Sequence, residues 1–167
     1  MERVIDVANY IYNHYKLISG GDKLDEMKLH KLLYFAQREC LAITGKPMFR
    51  EALQGWKYGP VSVETRHAYY EGDGIIEKTK DVSVESARML RGIIEEYGQY
   101  TSWKLSEMSH QELSWKNARQ GLHANDPGNK ELKIEDIMED AKKVRPFDHL
   151  WGMYYDEFED LPVAEVQ

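Results

Sequence analysis

Apolar residues recur along this chain mostly at helical spacing. Val4, Val7, Ala8, Ile11, Tyr15 and Ile18 fall on one face at 3.6 residues per turn, which predicts a helix over residues 4–18. Gly20-Gly21 should end it, because glycine takes the left-handed cap conformation without steric cost. Leu29, Leu32, Leu33, Ala36, Cys40 and Ile43 repeat the spacing and predict a second helix over residues 29–43. Asp25 fits its N-cap, Gly45 fits its C-cap, and Pro47 blocks continuation. The short Gly-Gly connection predicts that the two helices pack as an antiparallel pair.

Residues 48–58 read as extended and aromatic, and Ile75-Ile76-Glu77-Lys78 is a second short apolar run. A small two-stranded β element built from these two pieces is the expectation. Gly59-Pro60 fits a tight turn that fixes entry into a helix over residues 62–70. Ser83 can cap a further helix with Ala87, Leu90, Ile94 and Tyr97 inward, and Thr101 can cap another that runs to residue 109. Residues 113–119 and 134–144 are two more helical stretches, separated by a loop over 122–130 around Asp126-Pro127-Gly128-Asn129. Pro146 stops the last. The fold class expected is mainly α: a compact multi-helix single domain over residues 1–145 with a small two-stranded β element. Residues 146–167 form an acidic aromatic C-terminal tail, read either as an arm that docks on the domain or on a partner or as a frayed terminus, with the aromatics favouring docking.

Composition narrows the function classes. A length of 167 residues suits one domain with a real core. The mean hydropathy of −0.65 and the lack of a long uncharged apolar run argue against a membrane span. The N-terminal stretch contains acids and lacks a signal-peptide layout, so a cytoplasmic protein is expected. A net charge of −7 disfavours direct nucleic acid binding, which needs clustered Lys and Arg. Asp156, Glu157, Glu159, Asp160 and Glu165 make the tail a surface that would attract a basic partner. Cys40 is the single cysteine, so no internal disulfide or cysteine-based zinc site can form. Its place on the apolar stripe reads as a small buried side chain.

No catalytic constellation emerges. The six histidines include no pair at i, i+4, HExxH is absent, and no metal site is assigned. Phosphate-binding glycine loops and GxSxG are missing too. No catalytic residue and no cofactor are therefore expected, and the chain is read as a non-enzyme. Two local features invite a functional reading. His110 could serve as a base or a partner contact; equally, it is a helix-end histidine whose ring nitrogens bond backbone and whose face packs on Trp115. The helix dipole would favour its protonated form. Trp56, Tyr58 and Pro60 surround the Gly-Pro step and either plug the core or stand outward as interface anchors. Trp56 fits the core better, and Tyr58 fits both.

Four segments, in order, resemble one family. Lys28-Leu29-His30-Lys31-Leu32-Leu33-Tyr34-Phe35 resembles its KLxKLLYF helix, and Pro47-Met48-Phe49 its helix stop. Trp56-Lys57-Tyr58-Gly59-Pro60-Val61 resembles its AWxyGPV motif, with Gly55 where alanine is common. Leu105-Ser106, His110 and Trp115 resemble its LSxxxHxxxxW segment. The chain is identified on these residues as similar to the SocA-like antitoxin (Panacea) domain, a family that includes phage-associated GepA-like proteins. The resemblance implies a mainly helical domain that neutralises a cognate protein toxin, encoded by a neighbouring gene, through direct binding. In one branch it implies an adaptor that delivers the toxin to a ClpXP-type protease. Alternatives are a phage–host regulatory protein without an adjacent toxin and a small enzyme. The candidate partner contacts are Trp56, Tyr58, Pro60, His110 and Trp115.

Overall fold

The computed structural model describes residues 1–144. Seven helices are present among these residues, and six of them are arranged around the long second helix. α1 spans Val4–Ile18, α2 Glu26–Thr44, α3 Val63–Ala68, α4 Val84–Tyr97, α5 Ser102–His110, α6 Leu113–Ala118 and α7 Ile134–Ala141. Strands β1 (Gln54–Trp56) and β2 (Gly59–Val61) form one antiparallel hairpin, and β3 (Tyr69–Tyr70) with β4 (Gly74–Ile75) form another. No described helix is long and apolar enough to cross a membrane.

Side-chain caps set several helix starts. Asp25 accepts a hydrogen bond from the Lys28 amide at 2.8 Å, and Ser62, Ser83 and Thr101 do the same for α3, α4 and α5. Gly45 closes α2 in the left-handed conformation, with its amide bonded to the Leu41 carbonyl. α7 ends at Ala141, short of the expected residue 144, in backbone turns that close on Asp140 and Ala141.

α2 is buried almost all round, which a single amphipathic stripe does not anticipate. It packs against α1, α4, α5, α7 and β2. Leu29, Leu32, Leu33, Phe35 and Ala36 fill the core with Val7, Ala8 and Ile11 of α1 and Leu90 and Ile94 of α4. Phe35 stacks on Tyr97 with ring centroids 4.4 Å apart. The polar residues between these apolar ones each tie α2 to a different element. Lys28 Nζ donates to the Gly98 carbonyl at 2.6 Å. Gln37 Oε1 accepts the Met48 and Phe49 amides while its Nε2 donates to the Phe49 carbonyl, so a side chain pairs with the extended Pro47-Met48-Phe49 segment.

Below α6 lies a buried polar network. Arg38 donates to Glu112, Glu39 and Tyr97 at 3.1, 3.1 and 2.8 Å. The Tyr34 hydroxyl lies 2.9 Å from Asp140 and 3.2 Å from Glu112. Asp140 also accepts the Leu113 and Ser114 amides at 2.7 and 3.0 Å, and so caps α6 from α7. Burial pushes the Glu112 carboxyl up, against the pull of Arg38.

Two expectations about the β element need correction. The 48–58 stretch does not pair with the run at 75–78; each piece pairs with its own near neighbour, Trp56 opposite Gly59 and Tyr70 opposite Gly74. Short local hairpins cost less chain entropy to close than a longer-range pairing. Gly59-Pro60 is not the turn. Lys57 and Tyr58 make the turn, and Gly59 and Pro60 begin β2, with Gly59 at φ +113°. The tail expected over residues 146–167 lies outside the described residues.

Candidate functional site: a cleft with a buried lysine

A cleft of about 700 Å³ opens between the N-terminal half of α2, the β1–β2 hairpin, α3 and the loop at residues 125–129. Glu26, Met27, His30 and Lys31 form the α2 wall, as expected for positions spaced one turn apart. Trp56, Lys57 and Tyr58 form the hairpin wall, and Arg66 reaches in from α3.

Lys31 is 1% exposed. Its Nζ donates to the Pro60 carbonyl at 3.1 Å. Pro60 supplies no amide of its own at this strand position, but its oxygen anchors the lysine. Among the described residues, no carboxylate lies within ion-pair distance of Lys31. Burial therefore pushes the ammonium down from 10.5 to about 7, against a weaker through-space pull from Asp25.

His30 sits beside it and is spent on structure. Its Nδ1 accepts the Ser62 amide at 3.3 Å, which leaves the proton on Nε2 to donate to Glu26 at 3.2 Å. Burial holds His30 below its ordinary value, so the neutral ring fits this arrangement at neutral pH. The His30 hydrogen bond, with help from Arg66 at 3.0 Å, holds the Glu26 carboxyl down. The Arg66 guanidinium also lies over the Trp56 ring at 5.1 Å. Glu26 and Arg66 neutralise one another. The Lys31 and Lys57 amines make no ion pair among the described residues.

The opposite wall is pinned by Arg119. Its guanidinium donates to the Gly55 carbonyl at 3.2 Å, and to the His123 and Asp126 carbonyls at 3.1 and 2.7 Å. One buried cation thus ties α6, β1 and the 123–128 loop together.

The sequence-predicted contacts divide into two groups. Trp56 and Tyr58 line the cleft, and Pro60 is buried beside its floor. Trp56 is half-buried and does not plug the core. Tyr58 is 47% exposed and meets Trp103, 62% exposed, edge to face with centroids 5.5 Å apart. His110 and Trp115 instead brace the hairpin from behind. Their rings stack at 4.0 Å, Trp115 Nε1 donates to the Trp56 carbonyl at 2.8 Å, and Ser106 Oγ donates to the Tyr58 carbonyl at 2.7 Å. His110 also bonds the Lys57 backbone. This is the structural reading of His110, with two changes: its Nε2 lies 3.4 Å from the Ser106 hydroxyl, a side chain and not backbone, and its charge is disfavoured. Burial and the nearby Lys31 and Arg119 charges hold its ring below the ordinary histidine value, so the expected gain from a protonated ring at the helix end is outweighed.

The sequence does not single out Lys31, His30, Arg66 or Trp103 as site residues. Lys31 appears only as a letter of the helix motif, and His30 as that and as one of six histidines without a paired ligand. A lysine inside an amphipathic helix reads as solvated unless its neighbours in space are known. Cys40 behaves as expected: it is buried, and burial raises its thiol. No group of three or more potential metal ligands is present among the described residues.

A family model described as antitoxin SocA-like, Panacea domain, matches residues 29–116, more than half of the chain. The protein belongs to that family. No curated protein and no solved structure matches it. The matched region runs from the start of the α2 core stripe through Trp115, and so takes in all but the 125–129 wall and the first turn of the α2 wall.

Proposed function

We propose that this protein is the antitoxin of a toxin–antitoxin pair and neutralises a protein toxin by direct binding. Membership of the SocA-like antitoxin family carries the reading. The cleft supports binding over chemistry. Both ring nitrogens of His30 are committed to structural partners, and Glu26 is held by His30 and Arg66. What remains available is the Lys31 amine, an indole and two outward aromatics, a set suited to anchoring a partner. Occlusion of the toxin's working face is the mechanism, and a stable complex would bury on the order of 1,600 Å².

The test is co-expression with the product of the neighbouring gene. Growth arrest by that product alone, relieved by this chain with recovery of a stoichiometric complex, is the expected result. Arrest that persists while this chain is present and folded rules the reading out. A toxin that disappears in a protease-dependent manner, with no accumulated complex, selects the adaptor role instead.

A further inference from the structure

We propose that the Lys31 cleft is the docking pocket for an acidic side chain, aspartate or glutamate, presented by a partner protein, with Tyr58 and Trp103 as the aromatic rim that grips the residues beside it. The inference rests on the partner-binding reading above and adds the chemistry of the contact.

Three observations lead there. Lys31 places a buried amine at the cleft wall, 1% exposed, with one hydrogen bond, to the Pro60 carbonyl, and no ion pair among the described residues. An ammonium has three donors, and a buried one without a counterion is costly. An entering carboxylate supplies both the missing acceptor and the missing charge. Second, the lining is locally positive on a chain of net charge −7: Glu26 is cancelled by Arg66, which leaves Lys31 and Lys57. A local reversal of sign selects an anionic group for this spot. Third, the apolar surface does not stop at the cleft. Tyr58 lines it and meets Trp103 edge to face, and both are exposed. A small anion at Lys31 would occupy only a small part of the 700 Å³ cleft and would not reach Trp103, whereas a protein surface covers both. The second cation, Lys57, sits 4.9 Å over the Tyr58 ring, between pocket and rim.

A displayed library of random dodecapeptides selected on the full-length protein tests this without knowledge of the toxin. Selected sequences should be enriched in Asp or Glu next to an aromatic residue. Each should bind Lys31→Met more than about tenfold more weakly, the loss expected for a charge-assisted hydrogen bond. Trp103→Ala, an exposed change with little consequence for folding, should weaken the same peptides. Thermal melts establish that both variants are folded. Peptides without acidic residues, acidic peptides that bind Lys31→Met as well as the wild type, or no selected peptide at all would overturn the proposal. A synthetic peptide of residues 151–160 is tested in parallel. If it binds through Lys31 while the library yields nothing, the cleft belongs to the chain's own tail and the partner assignment falls. The antitoxin reading is judged separately: toxicity relieved by a protein whose cleft takes no acidic peptide sinks the cleft proposal alone. A neighbouring product that is not toxic sinks the antitoxin reading and leaves the peptide result standing.

Discussion

Lys31 and Gly59 share one space. The stem of the lysine passes so close beneath β2 that a Cβ at residue 59 would lie 2.5 Å from Lys31 Cε, and 2.6 Å from Ser109 Oγ. The glycine also has φ +113°, a conformation that L side chains rarely adopt. The lysine of the helix motif and the glycine of the hairpin motif are therefore two halves of one contact, and the buried amine exists because residue 59 has no side chain.

Gly59→Ala should accordingly be among the most damaging single methyl additions in the chain. Backbone strain and overpacking each cost about 1–3 kcal/mol. Urea unfolding should show a loss of that order or more. Lys31→Ala combined with Gly59→Ala should lose less than the sum of the two single changes, because truncating the lysine removes one of the two clashes. Strict additivity would mean that the two residues do not compete for space.

Lys31 also imposes a pH dependence of defined sign. Its folded value is about 7 and its unfolded value 10.5, so between them the unfolded chain binds more protons. Stability from this group is fully present above the unfolded value, is lost as pH falls through the window, and is flat below about 7. At about 1.4 kcal/mol per pH unit the swing is on the order of a few kcal/mol. Lys31→Met retains an apolar stem and has nothing to titrate. Denaturant melts from pH 7 to 10 should show wild-type stability rising relative to Lys31→Met, while other groups cancel in the difference. Parallel profiles would show that the amine stays protonated in the fold.

The contrast between what the sequence disclosed and what it hid follows from range. Asp25, Ser83 and Thr101 cap helices through amides three residues on, and the helix starts were legible for that reason. Lys31 reaches Pro60 across 29 residues, and Tyr34 reaches Asp140 across 106. Hydrophobic periodicity carries no record of such contacts, so α2 read as one apolar stripe although Lys31, Arg38 and Glu39 are buried as well. Trp56 and Tyr58 were found because aromatics at a turn are conspicuous. Trp103, lying in a helix beside polar residues, gave no comparable sign.

Gly55 illustrates a departure that the sequence alone gave no weight. The resembled motif commonly has alanine at this position, but a Cβ here would lie 2.8 Å from the Ala118 Cβ. Both atoms belong to tightly held elements, since Gly55 bonds Lys130 through its amide and Arg119 through its carbonyl. Gly55→Ala should cost about 1–3 kcal/mol through overpacking. Adding Ala118→Gly should recover part of that, offset by about 1 kcal/mol for glycine in a helix. If Gly55→Ala is neutral in a thermal melt, α6 yields at this contact and the 125–129 wall of the cleft is softer than its Arg119 bonds imply.

Asp140 is the point at which α7 is fastened to the rest of the domain. It is 0% exposed and serves three donors: the Leu113 and Ser114 amides and the Tyr34 hydroxyl. Asp140→Asn retains the shape but leaves one oxygen where there were two, so an NH₂ must face at least one of these donors. The loss of a buried, charge-assisted set of this kind should cost about 2–4 kcal/mol. Part of the loss is offset at Glu112, whose carboxyl is pushed up by Asp140 as well as by burial. Hydrogen exchange separates this from a general loosening. The Leu113 and Ser114 amides should lose protection first, ahead of the α2 amides at the centre of the core. Equal loss at all of these sites would show that α7 and α2 unfold as one unit, and unchanged protection at Leu113 and Ser114 would show that Asp140 does not cap α6 in solution.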